Sequence, residues 1–214
     1  MDTMRWSVRP GARGLPLVAC GYALALLATN AWLESSSPRV EAHVLADVST
    51  NLHHLTRDPL AVLATSAFFT RGGLVFALAG ALLCVGLLER VAGPRRTLMV
   101  AVSAHVIGTL VSEGVVAIRI AAHDLPAAAR NLLDVGPSYV IVGCAAAAIA
   151  WPAAPRVVRV LCAVGIAPLF IFTAWRLPAG RVDAMGHVTA FVVGVAWAWW
   201  QRRTDPGEGE EATA

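Results

Sequence analysis

Apolar residues along the chain gather into six stretches, about 15–33, 73–89, 96–118, 136–152, 157–175 and 184–200. Each is close to the ~20 residues that a helix needs to cross a bilayer. The pattern predicts an all-α, polytopic membrane protein: a bundle of six transmembrane helices with short loops. The fourth and fifth stretches are the shortest, and they meet at Trp151-Pro-Ala-Ala-Pro155, which reads as a tight turn. The first external connection, about 34–72, is too long for a turn. Within it Val44, Leu45, Val48, Leu52 and Leu55 recur at helical spacing. Val40–Leu55 therefore reads as an amphipathic helix lying in the membrane interface. Asp58-Pro59 ends it, and Leu60–Phe69 forms a second short apolar piece. The organisation expected is a cytoplasmic segment 1–14, a membrane domain 15–203 and a tail 204–214. Glu208, Glu210 and Glu211 make that tail acidic, and its composition suits disorder.

Composition sharpens this picture. The 214 residues are 57% hydrophobic and 14% charged, with a mean hydropathy of +0.64; a soluble domain is about 45–50% apolar and about 25% charged. All 17 basic residues are arginine, a codon signature of a GC-rich bacterial genome. Residues 1–14 are basic, yet the apolar run from Pro16 is long enough to span, so it reads as a first helix that stays. Arg5, Arg9 and Arg13 precede the first stretch. Arg90, Arg95 and Arg96 lie between the second and third, Arg156 and Arg159 between the fourth and fifth, and Arg202 and Arg203 follow the sixth. The opposite connections mix Glu34, Arg39, Glu41, Asp47, Arg57 and Asp58, then Arg119, Asp124, Arg130 and Asp134, then Arg176, Arg181 and Asp183. The positive-inside rule then places both termini in the cytoplasm of a cell whose plasma membrane holds the chain. Trp151, Trp175, Trp197, Trp199 and Trp200 near segment ends fit an interfacial belt.

Cys20, Cys84, Cys144 and Cys162 all fall inside apolar stretches without CxxC or Cys/His spacing, so they read as small buried hydrophobes. No metal site, cofactor or disulfide framework is expected. Phosphate loops, dinucleotide fingerprints and nucleic-acid motifs are absent from the sequence, so the partners to expect are the lipid bilayer and other membrane helices.

Ionisable groups inside a membrane are costly and mark function. Ser138 lies in Asp134-Val-Gly-Pro-Ser-Tyr139, which opens the fourth stretch, and His187 in Asp183-Ala-Met-Gly-His, which opens the sixth. Each is four residues past an aspartate, and at ~1.5 Å per residue both sit roughly 6 Å deeper. A serine becomes a useful nucleophile when a base lies beside it, and these two share a layer. Gly136-Pro137 shapes a helix start whose N–H groups could hold an oxyanion. The blander alternatives are a serine bonded to its own helix and a histidine satisfied by a carbonyl. Ala190 and Gly194 continue a small-residue face from Gly186 that would press His187 against a neighbouring helix.

His105 and Glu113 share one face of the third stretch, about 12 Å apart along its axis. They would orient His187, supply an oxyanion donor, or close a buried polar network. Glu89 ends the second stretch and would pair with a nearby arginine or cap backbone N–H groups. His43, His53, His54 and His123 fall in external loops, where His53-His54 could titrate.

Together these pieces resemble the rhomboid superfamily of intramembrane serine proteases, over about residues 59 to 200. Gly136-Pro137-Ser138-Tyr139 is similar to the family's serine motif opening the fourth span. His187 with Ala190 and Gly194 is similar to its histidine motif, and Gly86-Leu-Leu-Glu89-Arg90-Val-Ala-Gly93 to its signature ending the second span. The resemblance implies six core spans, a first external loop lying in the membrane, and cleavage of transmembrane helices near the outer face. Ser138 would be nucleophile and His187 base, with Asp134 placed to help orient the pair. Proteolytic members also carry a histidine and an asparagine early in the second span. The matching stretch here, residues 71–78, begins Arg71-Gly-Gly and has neither. Tyr139 stands where a small residue is usual, to narrow the site or donate a hydrogen bond. The sequence thus leaves open a serine endopeptidase, a catalytically inactive pseudoprotease that binds transmembrane helices, and a small transporter built around His105 and Glu113.

Overall fold

The computed structural model describes residues 14–176 and 183–204. Residues 1–13 of the expected basic segment 1–14 and residues 205–214 of the expected tail 204–214 lie outside them. So do Arg181 and the side chains of Trp175, Arg176 and Asp183. The chain forms α1 (Leu17–Glu34), α2 (Pro38–Asp47), α3 (Leu52–Leu55), α4 (Pro59–Thr65), α5 (Leu74–Gly80) and α6 (Gly86–Ala92). There follow α7 (Pro94–Ala121), α8 (Ser138–Ala150), α9 (Arg156–Arg176) and α10 (Asp183–Thr204). A π-helical turn, Ala81–Val85, joins α5 to α6 in one continuous rod. Among the described residues there is no strand. Three helices there are long and apolar enough to cross a membrane: Leu17–Glu34, Leu74–Ala92 and Pro94–Ala121.

The core is α8. At 13 residues it measures about 20 Å, short for a span. Its residues from Tyr139 to Ala148 are nevertheless all buried. A helix apolar on every side has to be enclosed by others, and the π-helical turn, α6, α7, α9 and α10 pack around it. Small residues set the spacing. A Cβ on Gly194 would strike the Gly143 carbonyl, and a Cβ on Gly143 would strike Ala104. α10, α8 and α7 therefore meet backbone to backbone. Large apolar side chains such as Leu24, Val75, Val102, Ile118, Val164 and Val192 face outward instead.

Two expectations are corrected. Val40–Leu55 is not one helix. It breaks into α2 and α3 at Ser49-Thr50-Asn51, because Ser49 and Thr50 leave the helix to bond Asp134, 84 residues or more away. Trp151 is not at a lipid-facing rim. It is buried in the core at the Trp151–Pro155 turn, with the Arg96 guanidinium 6.0 Å from its ring centre. Trp199 and Trp200 are exposed, while Trp197 is half-buried and donates to Ser103 Oγ at 2.8 Å.

Glu89 caps a helix distant in sequence. Its carboxylate accepts hydrogen bonds from the N–H groups of Val18 (3.1 Å) and Ala19 (3.0 Å), at the start of α1. Those donors have no intrahelical partner, and a negative charge suits the positive end of the helix dipole. Arg202 donates to the Ala150 carbonyl at 2.9 Å, and Arg159 donates to the Trp151 carbonyl at 2.9 Å. These bonds, with Arg96 over Trp151, gather Arg96, Arg159 and Arg202 around the Trp151 turn.

Candidate active site

The segment leading into α8 is fixed before the helix begins. Asp134 donates its N–H to Ser49 Oγ at 2.9 Å, and its carbonyl accepts from the Thr50 N–H at 2.9 Å. The Thr50 hydroxyl lies 3.0 Å from that carbonyl and 3.3 Å from the Asp134 carboxylate. Gly136 donates its N–H to the Ser66 carbonyl at 3.0 Å. Its φ of 142° lies where only glycine is unstrained. Pro137 then sets the start of α8, and its carbonyl receives the Ile141 N–H at 3.0 Å. Ser138 is thus the first residue of α8, and its own N–H has no acceptor within the helix.

His187 stands one turn into α10. Its Nε2 lies 2.9 Å from Ser138 Oγ. The imidazole is buried and the serine half-buried. The tautomer that makes Nε2 a proton acceptor carries its hydrogen on Nδ1. The Tyr139 ring stands edge-on to His187, with centres 5.1 Å apart. A Cβ on Gly186 would overlap the ring and hydroxyl of Tyr139. Glycine at 186 therefore lets Tyr139 lie flush against α10 and wedge the imidazole toward Ser138.

On the other side of Tyr139 lies His105, ring centres 6.4 Å apart. His105 Nε2 is 3.1 Å from the Leu63 carbonyl and 3.2 Å from Ser66 Oγ. A carbonyl only accepts, so Nε2 carries the hydrogen and donates to it. Glu113 is buried near the Asp134 carboxylate and accepts from the Leu52 N–H at the start of α3. The bonds of His105 and Glu113 thus run to the connection between α1 and α5, like those of Asp134, and tie it to the segment that carries Ser138. Outside the spans, the Arg57 guanidinium beside His53 holds that imidazole below its ordinary pKa.

A cavity of about 680 Å³ opens beside the pair. Ser138, Gly136 and Ile141 line it, with Arg71, Gly73 and Phe76 and with Gly165 and Pro168 of α9. Volume and lining suit a small binding cleft. Arg71 occupies the stretch in which the sequence shows neither histidine nor asparagine. Its side chain is exposed, and no carboxylate pairs with it among the described residues. Arg71 was not legible as a site residue in the sequence, because its place beside Ser138 arises only when α5 and α8 come together. Nor were Ser49, Thr50 and Ser66, whose roles are set by partners far along the chain. Among the described residues, no three His, Cys, Asp or Glu side chains gather as a metal site would.

A family model described as "rhomboid-like protein" matches residues 18–204. The chain belongs to the rhomboid-like family. With its long apolar helices, membership makes it a multi-pass membrane protein resident in a lipid bilayer. Comparison with curated proteins and with solved structures gave no match.

Proposed function

We propose that this rhomboid-like protein is an intramembrane serine endopeptidase that cleaves transmembrane helices near the outer face of the plasma membrane. The observation that carries the reading is the 2.9 Å contact between His187 Nε2 and Ser138 Oγ, with Ser138 lining an open cavity. In this reading six helices, α1, α5–α6, α7, α8, α9 and α10, span the bilayer, with the first external connection lying in it. Both termini are cytoplasmic, where the arginine-rich ends collect.

The chemistry follows from the pair. Ser138 Oγ attacks a substrate peptide carbonyl while His187 Nε2 takes its proton. The tetrahedral oxyanion is met by the Ser138 N–H at the start of α8, with the Arg71 guanidinium lining the same cavity. Collapse expels the amine, which takes its proton from His187 and leaves an acyl-serine. A water then attacks that ester, His187 accepting its proton and returning it to Ser138 Oγ. Tyr139 acts by holding the imidazole in place, and Asp134, Glu113 and His105 by anchoring the connection over the site.

The second reading, a pseudoprotease that binds transmembrane helices without cutting them, draws on the Arg71-Gly72-Gly73 stretch, which lacks the histidine and asparagine of proteolytic members. Reconstituting the full chain with a single-span substrate whose helix contains a Gly-rich unstable turn separates the two. The protease reading predicts a discrete cleavage product that disappears in Ser138→Ala. Stable co-purification with no product in either form would select the pseudoprotease.

A further inference from the structure

A second cavity, of about 720 Å³, lies between α1, α4 and α7, and shares no lining residue with the cleft beside Ser138 and α9. Leu17 and Tyr22 of α1, Leu63 and Phe68 of the first connection, and Val102 and Val106 of α7 line it. It is apolar but for His105, whose Nε2 is held by the Leu63 carbonyl and Ser66. Its rim is apolar and open: Leu17 is 74% exposed, Leu60 80%, Leu98 54% and Val102 55%. The Tyr22 hydroxyl donates to the Ala67 carbonyl at 2.8 Å and so turns inward, leaving ring carbon toward the space. At one end α4 roofs the groove with Leu60, Leu63 and Ala64. At the other, Leu17 borders a second recess of about 430 Å³, where Pro16, Arg90 and Pro94 meet.

Charge is placed at that open end. Arg95, Leu98, Val102 and Val106 follow one another at helical spacing on α7, so Arg95 stands one turn beyond the groove on its own stripe. Arg90 lines the recess and is exposed, as is Arg95. The carboxylate there, Glu89, is engaged by the Val18 and Ala19 N–H groups. The recess thus offers free positive charge beside an apolar channel.

We infer that this groove binds one anionic phospholipid, its acyl chain between α1 and α7 and its phosphate at Arg90 and Arg95. Length selects this occupant. From Leu98 to Val106 the groove runs about 12 Å, under half of the ~30 Å hydrocarbon core, and α4 closes it there. An acyl chain of one leaflet ends at that depth, whereas a transmembrane helix would have to continue. The site needs only that α1 and α7 cross a membrane, so it stands whether or not Ser138 is a nucleophile.

The test uses the full chain in bilayer nanodiscs containing phosphatidylglycerol with a photoactivatable diazirine on its acyl chain, mapped by mass spectrometry, and parallel titrations with phosphatidylcholine. Labelling should concentrate on peptides covering 60–68 and 98–106. Arg95→Gln should cut the preference for phosphatidylglycerol about fivefold, near the worth of one basic residue at a charged surface. Val102→Trp should remove the label by filling the groove. Even labelling of all lipid-facing helices would overturn the inference. So would an unchanged headgroup preference in Arg95→Gln, or displacement of the lipid by a single-span peptide.

Discussion

At the scale of residues, the site depends on a side chain that performs no chemistry. Tyr139 sits between two histidines, and it fits only because Gly186 and Gly108 present no side chain to it. Gly186→Ala would push the ring into His187 and move Nε2 away from Ser138. A displacement near 1 Å costs roughly 10²-fold in such reactions. Cleavage of a reporter substrate should therefore fall about a hundredfold with the protein still folded by circular dichroism. Ser138 and His187 are legible in the sequence as one layer because helical rise is regular. Nothing in the sequence marked Tyr139 as the wedge, because that role arises from glycines on two other helices. His53 offers a separate check. Its pKa is lowered chiefly by Arg57, so its proton binds more weakly folded than unfolded, and acidification through its ordinary range works against the folded first connection. Its NMR titration should lie below that of a free histidine, and Arg57→Gln should raise it.

At the scale of elements, long-range caps decide what local pattern cannot. Apolar runs located the helices well, since burial and lipid both demand them. The break between α2 and α3 was not legible. It exists because Ser49 and Thr50 serve the segment at Asp134, and periodicity carries no record of that. Replacing both, as Ser49→Ala with Thr50→Val, should loosen this clasp. Hydrogen exchange at 49–51 and 134–136 should then rise together, while α8 and α10 stay protected. Glu89 makes a similar bridge to α1. Glu89→Ala strips two N–H groups of their charged acceptor and should lower stability by about 2 kcal/mol. That corresponds to a fall of roughly 4–8 °C in Tm for a chain of this size, read by thermal scanning in detergent.

At the scale of the whole molecule, a short, wholly buried helix sits inside longer ones. α8 begins with Ser138 and ends at the Trp151 turn, so the chain sets Ser138 in the lining of a cavity with His187 buried beside it. Arginine bonds collect the opposite end of the bundle, which suits a molecule held in one orientation across a membrane. The central claim is that Ser138 is a nucleophile activated by His187. The direct measurement is covalent labelling of the full chain in native-like membranes by a fluorophosphonate probe, with the modified residue mapped by mass spectrometry. The account predicts an adduct on Ser138 that vanishes in both Ser138→Ala and His187→Ala. Labelling that persists in Ser138→Ala, or a wild type that takes no label although the probe reaches the cavity, would contradict it.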